Sequence, residues 1–174
     1  MRIDNPTFNP GDLNTAATAS NLAGNTPAYA YGTRSTAQAV VNTTLSQVTN
    51  WSTTVNETGG QWNGSTGTFT ANRPGIYLVT GNVSWPTITP SNDKVYRLFI
   101  TKNGSANQIG ISQHRSEATS IQQNVTTGYC TAVVPMTTGD TFAFFVYHDH
   151  GSTISLDGPI NTFSFVEIGN KIQR

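Results

Sequence analysis

Two histidines flank an aspartate at His148-Asp149-His150, the one cluster in this sequence with the composition of a metal site. In an extended chain residues i and i+2 point to one side, so His148 and His150 present two imidazoles that could ligate zinc or nickel. Such a site needs a third or fourth ligand, and the local sequence offers none. The expectation is therefore a solvated loop tip before Gly151, with no metal and no cofactor. Catalysis by paired carboxylates needs one acid in an apolar pocket and another in a polar one at a set separation. The nine acids here are scattered singly, and Asp93, Asp140, Asp149 and Asp157 all sit beside loop residues. There is no Gly-x-Ser-x-Gly elbow, no HExxH and no phosphate-cradling loop. His114 and Glu117 beside Arg115 are the nearest thing to a catalytic remnant, and the chain is read as non-enzymatic. Cys130 lies inside an apolar run with no His or cation near it in sequence, which makes it a small buried hydrophobe rather than a reactive thiol.

Sugar recognition uses an aromatic platform ringed by amides and carboxylates, so the three tryptophans are its candidates. Trp51 lies in an expected strand and Trp85 ends one, as core or interface aromatics would. Trp62, between Gln61 and Asn63-Gly64, is the candidate for an exposed ligand contact. The polar stretches 86–93 and 116–124 are the expected loops on which recognition could ride.

The elements that must position these residues are short and extended. Of 174 residues only 10% are charged, with a formal net charge of zero, and Thr, Asn, Ser and Gly fill the polar positions. Holding nucleic acid or an anionic membrane through nonspecific electrostatics needs a basic surplus, which is absent. No 18 apolar residues follow one another, so no inserted span is expected, and the start of the chain has no apolar run of a secretion signal. Strands are expected near 28–34, 36–41, 44–51, 54–57, 67–71, 75–85, 94–102, 107–114, 125–135, 141–148, 152–156 and 161–168, at the spacing of a sandwich or barrel. Pro74-Gly75 reads as a type II turn, Asn103-Gly104 as a type I′ hairpin, and Gly139-Asp140 as the closure of a central hairpin. In 94–102, Tyr96, Leu98 and Ile100 should face the core, with Lys94, Arg97 and Lys102 outward. Residues 1–27 have scattered Ile3, Phe8, Leu13 and Leu22 with no period. They are either a disordered tail or an anchoring arm whose apolar residues are buried only against a partner, with a short helix over 12–23 as one form.

The run 125–148 carries apolar residues on both sides. Cys130, Ala132, Val134 and Met136 alternate with Tyr129, Thr131 and Val133; Phe142, Phe144 and Val146 alternate with Ala143, Phe145 and Tyr147. A strand covering one core needs only one apolar side, so the surplus of Tyr129, Thr131, Val133, Phe145 and Tyr147 is expected to meet another copy of the chain.

Several stretches in order then point to a family. Ala28-Tyr29-Ala30-Tyr31-Gly32, Val48 and Trp51, Thr58-Gly59-Gly60, and Thr66-Gly67-Thr68-Phe69-Thr70 followed by Pro74-Gly75-Ile76-Tyr77 resemble the first half of the C1q/TNF-like jelly-roll domain. Leu98 through Asn103-Gly104, Val133-Val134-Pro135-Met136, Gly139-Asp140-Thr141-Phe142 and Asn161-Thr162-Phe163-Ser164-Phe165 occupy the places of its second half. The resemblance covers about residues 28 to 169. It implies an all-β, two-sheet antiparallel jelly-roll sandwich over 28–174, carried behind an extended N-terminal arm (1–27) and assembled as a homotrimer. Two departures stand out: the collagen-like stalk of many such domains is absent, and the last strand runs Val166-Glu167-Ile168-Gly169 where the family is fully apolar. The domain is also similar to terminal modules of bacteriophage tail fibres, spikes and capsid surface proteins. That similarity implies a virion surface protein made in the host cytoplasm, its arm held by a larger capsid or tail protein. The alternative is a module binding a host receptor or glycan.

Overall fold

A computed structural model of the chain describes residues 27–34, 36–56, 60–89, 91–117, 123–156, 158 and 160–170. Among them there are strands and no helix: β1 Tyr29–Arg34, β2 Gln38–Val40, β3 Ser46–Gln47, β4 Trp51–Asn56, β5 Gly60–Asn63, β6 Thr68–Ala71, β7 Gly75–Asn82, β8 Ser84–Ile88, β9 Val95–Lys102, β10 Gln108–Arg115, β11 Gln123–Thr126, β12 Cys130–Met136, β13 Thr141–His148, β14 Ile154–Leu156 and β15 Thr162–Asn170. A five-stranded sheet runs β12-β7-β15-β1-β4. A six-stranded sheet runs β10-β9-β13-β6-β5, with β3 also on β13. Two short ribbons, β11-β8 and β14-β2, extend the ends of the sandwich. The anchoring residues Ile3, Phe8 and Leu13, and the helix expected over 12–23, lie outside the described residues.

Period-two alternation builds the core. Tyr77 and Val79 of β7, Cys130, Ala132, Val134 and Met136 of β12, and Phe163 and Phe165 of β15 are buried from one sheet. Tyr96, Leu98 and Ile100 of β9 and Phe142, Phe144 and Val146 of β13 are buried from the other, as the sequence pattern requires. Between the sheets the aromatics interlock. Phe163 stacks on Trp62 with centroids 4.4 Å apart and meets Trp51 edge-on at 4.9 Å, while Phe165 lies 4.7 Å from Phe69 and 5.1 Å from Phe142. Such pairs contribute about 0.5–1.5 kcal/mol each beyond area burial.

The structure corrects four local expectations. Residues 125–148 are not a hairpin: β12 pairs with β7 in one sheet and β13 with β9, β6 and β3 in the other. The turn at 137–140 carries the chain across the sandwich, and alternation looks the same whether a strand's neighbour lies in its own sheet or not. A network around Asp140 holds that crossing. Its carboxylate accepts from the Thr137 N–H at 2.7 Å and from the Asn103 side-chain amide at 2.7 Å, and it pairs with Lys102 at 2.9 Å. These bonds, the Thr137 N–H foremost, hold its pKa well below the usual carboxylate range. Lys102, expected outward, also reaches the Pro135 carbonyl of the opposite sheet at 2.7 Å.

Gly75 is not a left-handed turn residue. It opens β7, and a side chain there would meet the Glu167 carboxylate and the Tyr77 ring, both at 3.1 Å. Asn103 and Gly104 do take positive φ (54° and 110°), but the β9–β10 connection runs through residues 103–107 rather than closing in two. The stretch expected as one strand over 44–51 splits at Asn50, whose φ is 59°. In addition β5, hidden in the sequence between Gly59-Gly60 and Asn63-Gly64, forms a hairpin with β6 that sets Trp62 opposite Phe69.

Gly67 ends the β5–β6 turn at φ +69°, and a Cβ there would stand 2.2 Å from the Val48 carbonyl oxygen. Gly67→Ala should lose at least about 1–2 kcal/mol from the left-handed conformation alone, read as a lower urea midpoint with an unchanged slope.

Candidate functional site

The outer faces of the two sheets differ in chemistry, and the difference defines the site. On the five-stranded sheet, β1 and the residue before it have small residues inward (Ala28, Ala30) and tyrosines outward (Tyr29, Tyr31), the reverse of an ordinary surface strand. On β15, Phe163, Phe165 and Glu167 point inward while Val166 and Ile168 point outward. Register lines these up: Tyr29 pairs with Val166, Val166 with Leu78, and Leu78 with Val133, an apolar row across four strands. On one side of it lie Ile76, opposite Pro135, and Ile168 at a β-bulge. The next row on the other side runs Tyr31, Ser164, Thr80 and Thr131, with the Thr80 and Thr131 hydroxyls 3.3 Å apart. Tyr129 stands just before β12 and is 73% exposed, Val133 is 58% exposed and Ile168 54%. A solvated sheet face normally alternates to polar residues. This one does not.

Of the five residues expected at a self-interface, Tyr129, Thr131 and Val133 are thus on the five-stranded sheet's side of the molecule. Phe145 and Tyr147 are not. They lie on the outer face of the six-stranded sheet, where Phe145 pairs with Phe99 and Tyr147 packs under the Arg97 guanidinium, 5.8 Å from ring to Cζ. No single face holds all five, because β12 and β13 belong to opposite sheets. Tyr29, Tyr31, Val166, Ile168, Ile76 and Leu78 complete the face, and sequence reasoning left them out. The Ala-Tyr-Ala-Tyr alternation of 28–31 was the signal available for finding the first two.

The Glu167 that interrupts the last strand is turned into the sandwich. Its carboxylate accepts from the Ala28 N–H at 3.0 Å and from Arg73 at 2.7 Å, clamping the start of β1 where residues 1–26 join the domain. Burial, and then the Glu167 charge, push the neighbouring Tyr77 hydroxyl up to about 12. The outer face of β15 therefore stays apolar.

The other candidates fall into the core. Trp62, expected at the surface, is 7% exposed because β5 turns its ring inward onto Phe163. Trp51 and Trp85 are buried as expected. Cys130 is buried, and burial pushes its thiol pKa up. His148 is fully buried rather than at a solvated tip. Its Nδ1 accepts from the His150 N–H at 3.3 Å, which leaves Nε2–H to donate to the Val40 carbonyl at 3.0 Å. His150 Nδ1 meets the Tyr96 hydroxyl at 2.9 Å. With both its nitrogens engaged, His148 is a structural residue. Among the described residues no group of three or more His, Cys, Asp or Glu converges on a metal position. His114 faces Tyr96 across β9–β10, ring centroids 6.2 Å apart, whereas exposed Arg115 pairs with Asp93. Neighbours on a strand point to opposite faces, so His114 and Arg115 do not form one site.

No family model matches this sequence, and no curated protein sequence does. Among solved structures the fold is similar to Eiger TNF from S. frugiperda (TM-score 0.60, 16% identity, 84% of this chain and 94% of that one). It is similar also to murine APRIL at pH 5.0 (0.60, 12%, 82% and 100%). The globular domain of zebrafish complement 1qA matches at 0.56 and 15% identity, over 82% of this chain and 98% of that one. At these identities the likeness is one of fold: the all-β jelly roll of TNF and C1q-like domains.

Burial lowers the His148 pKa from its ordinary 6.5, outweighing the Val40 bond, with His150 acting in the same direction and Asp149 against it. The unfolded chain takes up this proton near 6.5 and the folded protein only at lower pH. The stabilisation is therefore complete above 6.5 and is lost as pH falls toward the folded value. Urea midpoints measured from about pH 7.5 down to 5 should decline, by no more than about 1.4 kcal/mol per pH unit for one proton, and His148→Gln should flatten the decline.

Proposed function

We propose that this chain is a non-enzymatic structural subunit that assembles as a homotrimer through the outer face of its five-stranded sheet and is mounted by residues 1–27 on a larger particle, the surface of a bacteriophage virion. The observation that carries the reading is the row Tyr29–Val166–Leu78–Val133 with Tyr31, Ile168 and Ile76 around it, apolar side chains on a face that an isolated antiparallel sheet would solvate. Folds of the TNF and C1q-like class typically pack as trimers, and a closed ring of three hides such a face without leaving an open end. The rows on this face hold no charged residue, which suits burial, since no ion pair has to be stripped of water to close the contact.

The mounting role is supported by where the arm joins. Glu167 ties Ala28 at one pole of the sandwich, one residue before Tyr29 of the apolar row. In a trimer closed on this face the three arms begin together, and Ile3, Phe8 and Leu13 would reach the same support. The virion setting is an analogy, carried over from the resemblance of this kind of domain to phage surface modules, and the larger capsid or tail protein is the partner that analogy implies.

Analytical ultracentrifugation should find a trimer. Val133→Asp, which sets a carboxylate in each contact, should raise the dissociation constant more than a hundredfold, because burying an unpaired ion costs several kcal/mol. Ile111→Asp, an equally exposed position on the opposite sheet, should leave the trimer intact. A monomeric wild-type chain, or equal effects of the two substitutions, would overturn the assembly. Deleting residues 1–27 should leave the trimer folded but absent from purified particles, scored by quantitative immunoblot; undiminished incorporation would sink the anchoring role.

A further inference from the structure

On the outer face of the six-stranded sheet, away from the apolar rows, β5, β6 and β3 enclose a shallow groove of about 740 Å³ lined by Gln47, Gln61, Trp62, Asn63, Thr66, Thr68 and Thr70 with Gly64. Its chemistry is uniform: amides and hydroxyls, with no charged side chain. The register sets Gln61 beside Thr70 and Asn63 beside Thr68, so their polar groups stand as two cross-strand pairs on one face. Gln47 ties β3 to this surface by donating to the Thr66 carbonyl and the Thr68 hydroxyl, both at 2.8 Å. The Asn63 side-chain oxygen accepts from the Thr66 N–H at 3.1 Å, which steadies the turn at the rim.

We infer that this groove is a binding site for an uncharged saccharide, a chain of neutral hexose or N-acetylhexosamine units. Much of its hydrogen-bonding capacity is unspent. Among the described residues neither the Gln61 amide nor the Thr70 hydroxyl makes a hydrogen bond, the Asn63 amide has both donors open, and Gln47 keeps its carbonyl oxygen. Amides and hydroxyls both donate and accept, which is what a sugar hydroxyl presents in return. A charged ligand would find no counter-charge here and would lose hydration without compensation. An apolar ligand would leave the amides unpaired. Beneath the polar pairs Trp62 is held stacked on Phe163 at 4.4 Å, so the floor of the groove is anchored in the core. The site does not depend on the assembly proposed above, and it lies on the sheet opposite the apolar face, so closing that face leaves it open. A trimer would then display three such grooves, and surface-bound chains would be held by avidity.

The test uses the full chain on immobilised neutral oligosaccharides of glucose, galactose, mannose and their N-acetylated forms, with sialylated and sulfated counterparts printed alongside, followed by titration calorimetry with the same sugars free in solution. The expected result is binding to one or more neutral chains, weakened at least tenfold in solution by Gln61→Ala with Thr70→Val, two exposed substitutions that leave the urea midpoint unchanged. Val133→Asp should keep the solution affinity and lose the gain on the immobilised array, which separates failure of the groove from failure of the assembly. Binding only to acidic sugars, no binding to any, or affinity unchanged in the double variant would overturn the proposal.

Discussion

The interlock of aromatic rings between the two sheets is the constraint on which the rest of the structure depends. Phe163 and Phe165 of the last strand insert among Trp51, Trp62, Phe69, Phe142 and Phe144, and ring centroids from 4.4 to 5.8 Å leave no room for a one-residue slip. A slip would turn every side chain of β15 over. With the register of β15 held, Val166 and Ile168 have nowhere to point but outward. The apolar outer face is in that sense a consequence of the core. The same interlock draws Trp62 inward and leaves the residues flanking it, Gln61 and Asn63, to line a polar groove.

At the margins of this aromatic layer several polar side chains are matched to particular distant groups. Glu167 holds Ala28 and Arg73, Asp140 holds the crossing between sheets, the Asn161 side chain accepts from the Ser84 N–H at 2.6 Å, and His148 caps the Val40 carbonyl. Each joins segments far apart in sequence at a point where a strand enters or leaves a sheet. An orphaned polar group there would cost about 1–3 kcal/mol, comparable to a sizeable share of the stability of a domain this size. These residues carry the polar chemistry that a reader of the sequence would first assign to function, and their work is architectural.

What remains for function is the pair of outer faces. One is a sheet surface on which tyrosines, valine and isoleucine replace the expected polar alternation. The other combines an apolar row, Ile111–Phe99–Phe145, with a field of amides and hydroxyls toward β5 and β6. The first suits a dry contact with copies of the same chain, and the second suits a wet contact with a hydroxylated ligand. A sandwich can offer both at once because its two faces look in opposite directions and share only the core.

Read alone, the sequence determined the class: strands of the right length, the inward sets on β9 and β13, the burial of Trp51, Trp85 and Cys130, and a fold of the jelly-roll kind. The strands and inward sets follow from period-two alternation and turn residues, which are local, and the jelly-roll kind from the resemblance of ordered motifs. It could not say that β12 and β13 part company at Asp140, that Glu167 turns inward to an ion pair, that His148 is sealed beneath Val40, or that a Trp beside two glycines is core. Each of those depends on which distant segment becomes the neighbour. The outward-facing residues show this most plainly. Tyr129, Val133, Phe145 and Tyr147 are alike in pattern, yet they fall on opposite sides of the molecule, because alternation tells which residues share a side of one strand and only strand pairing tells which strands share a sheet.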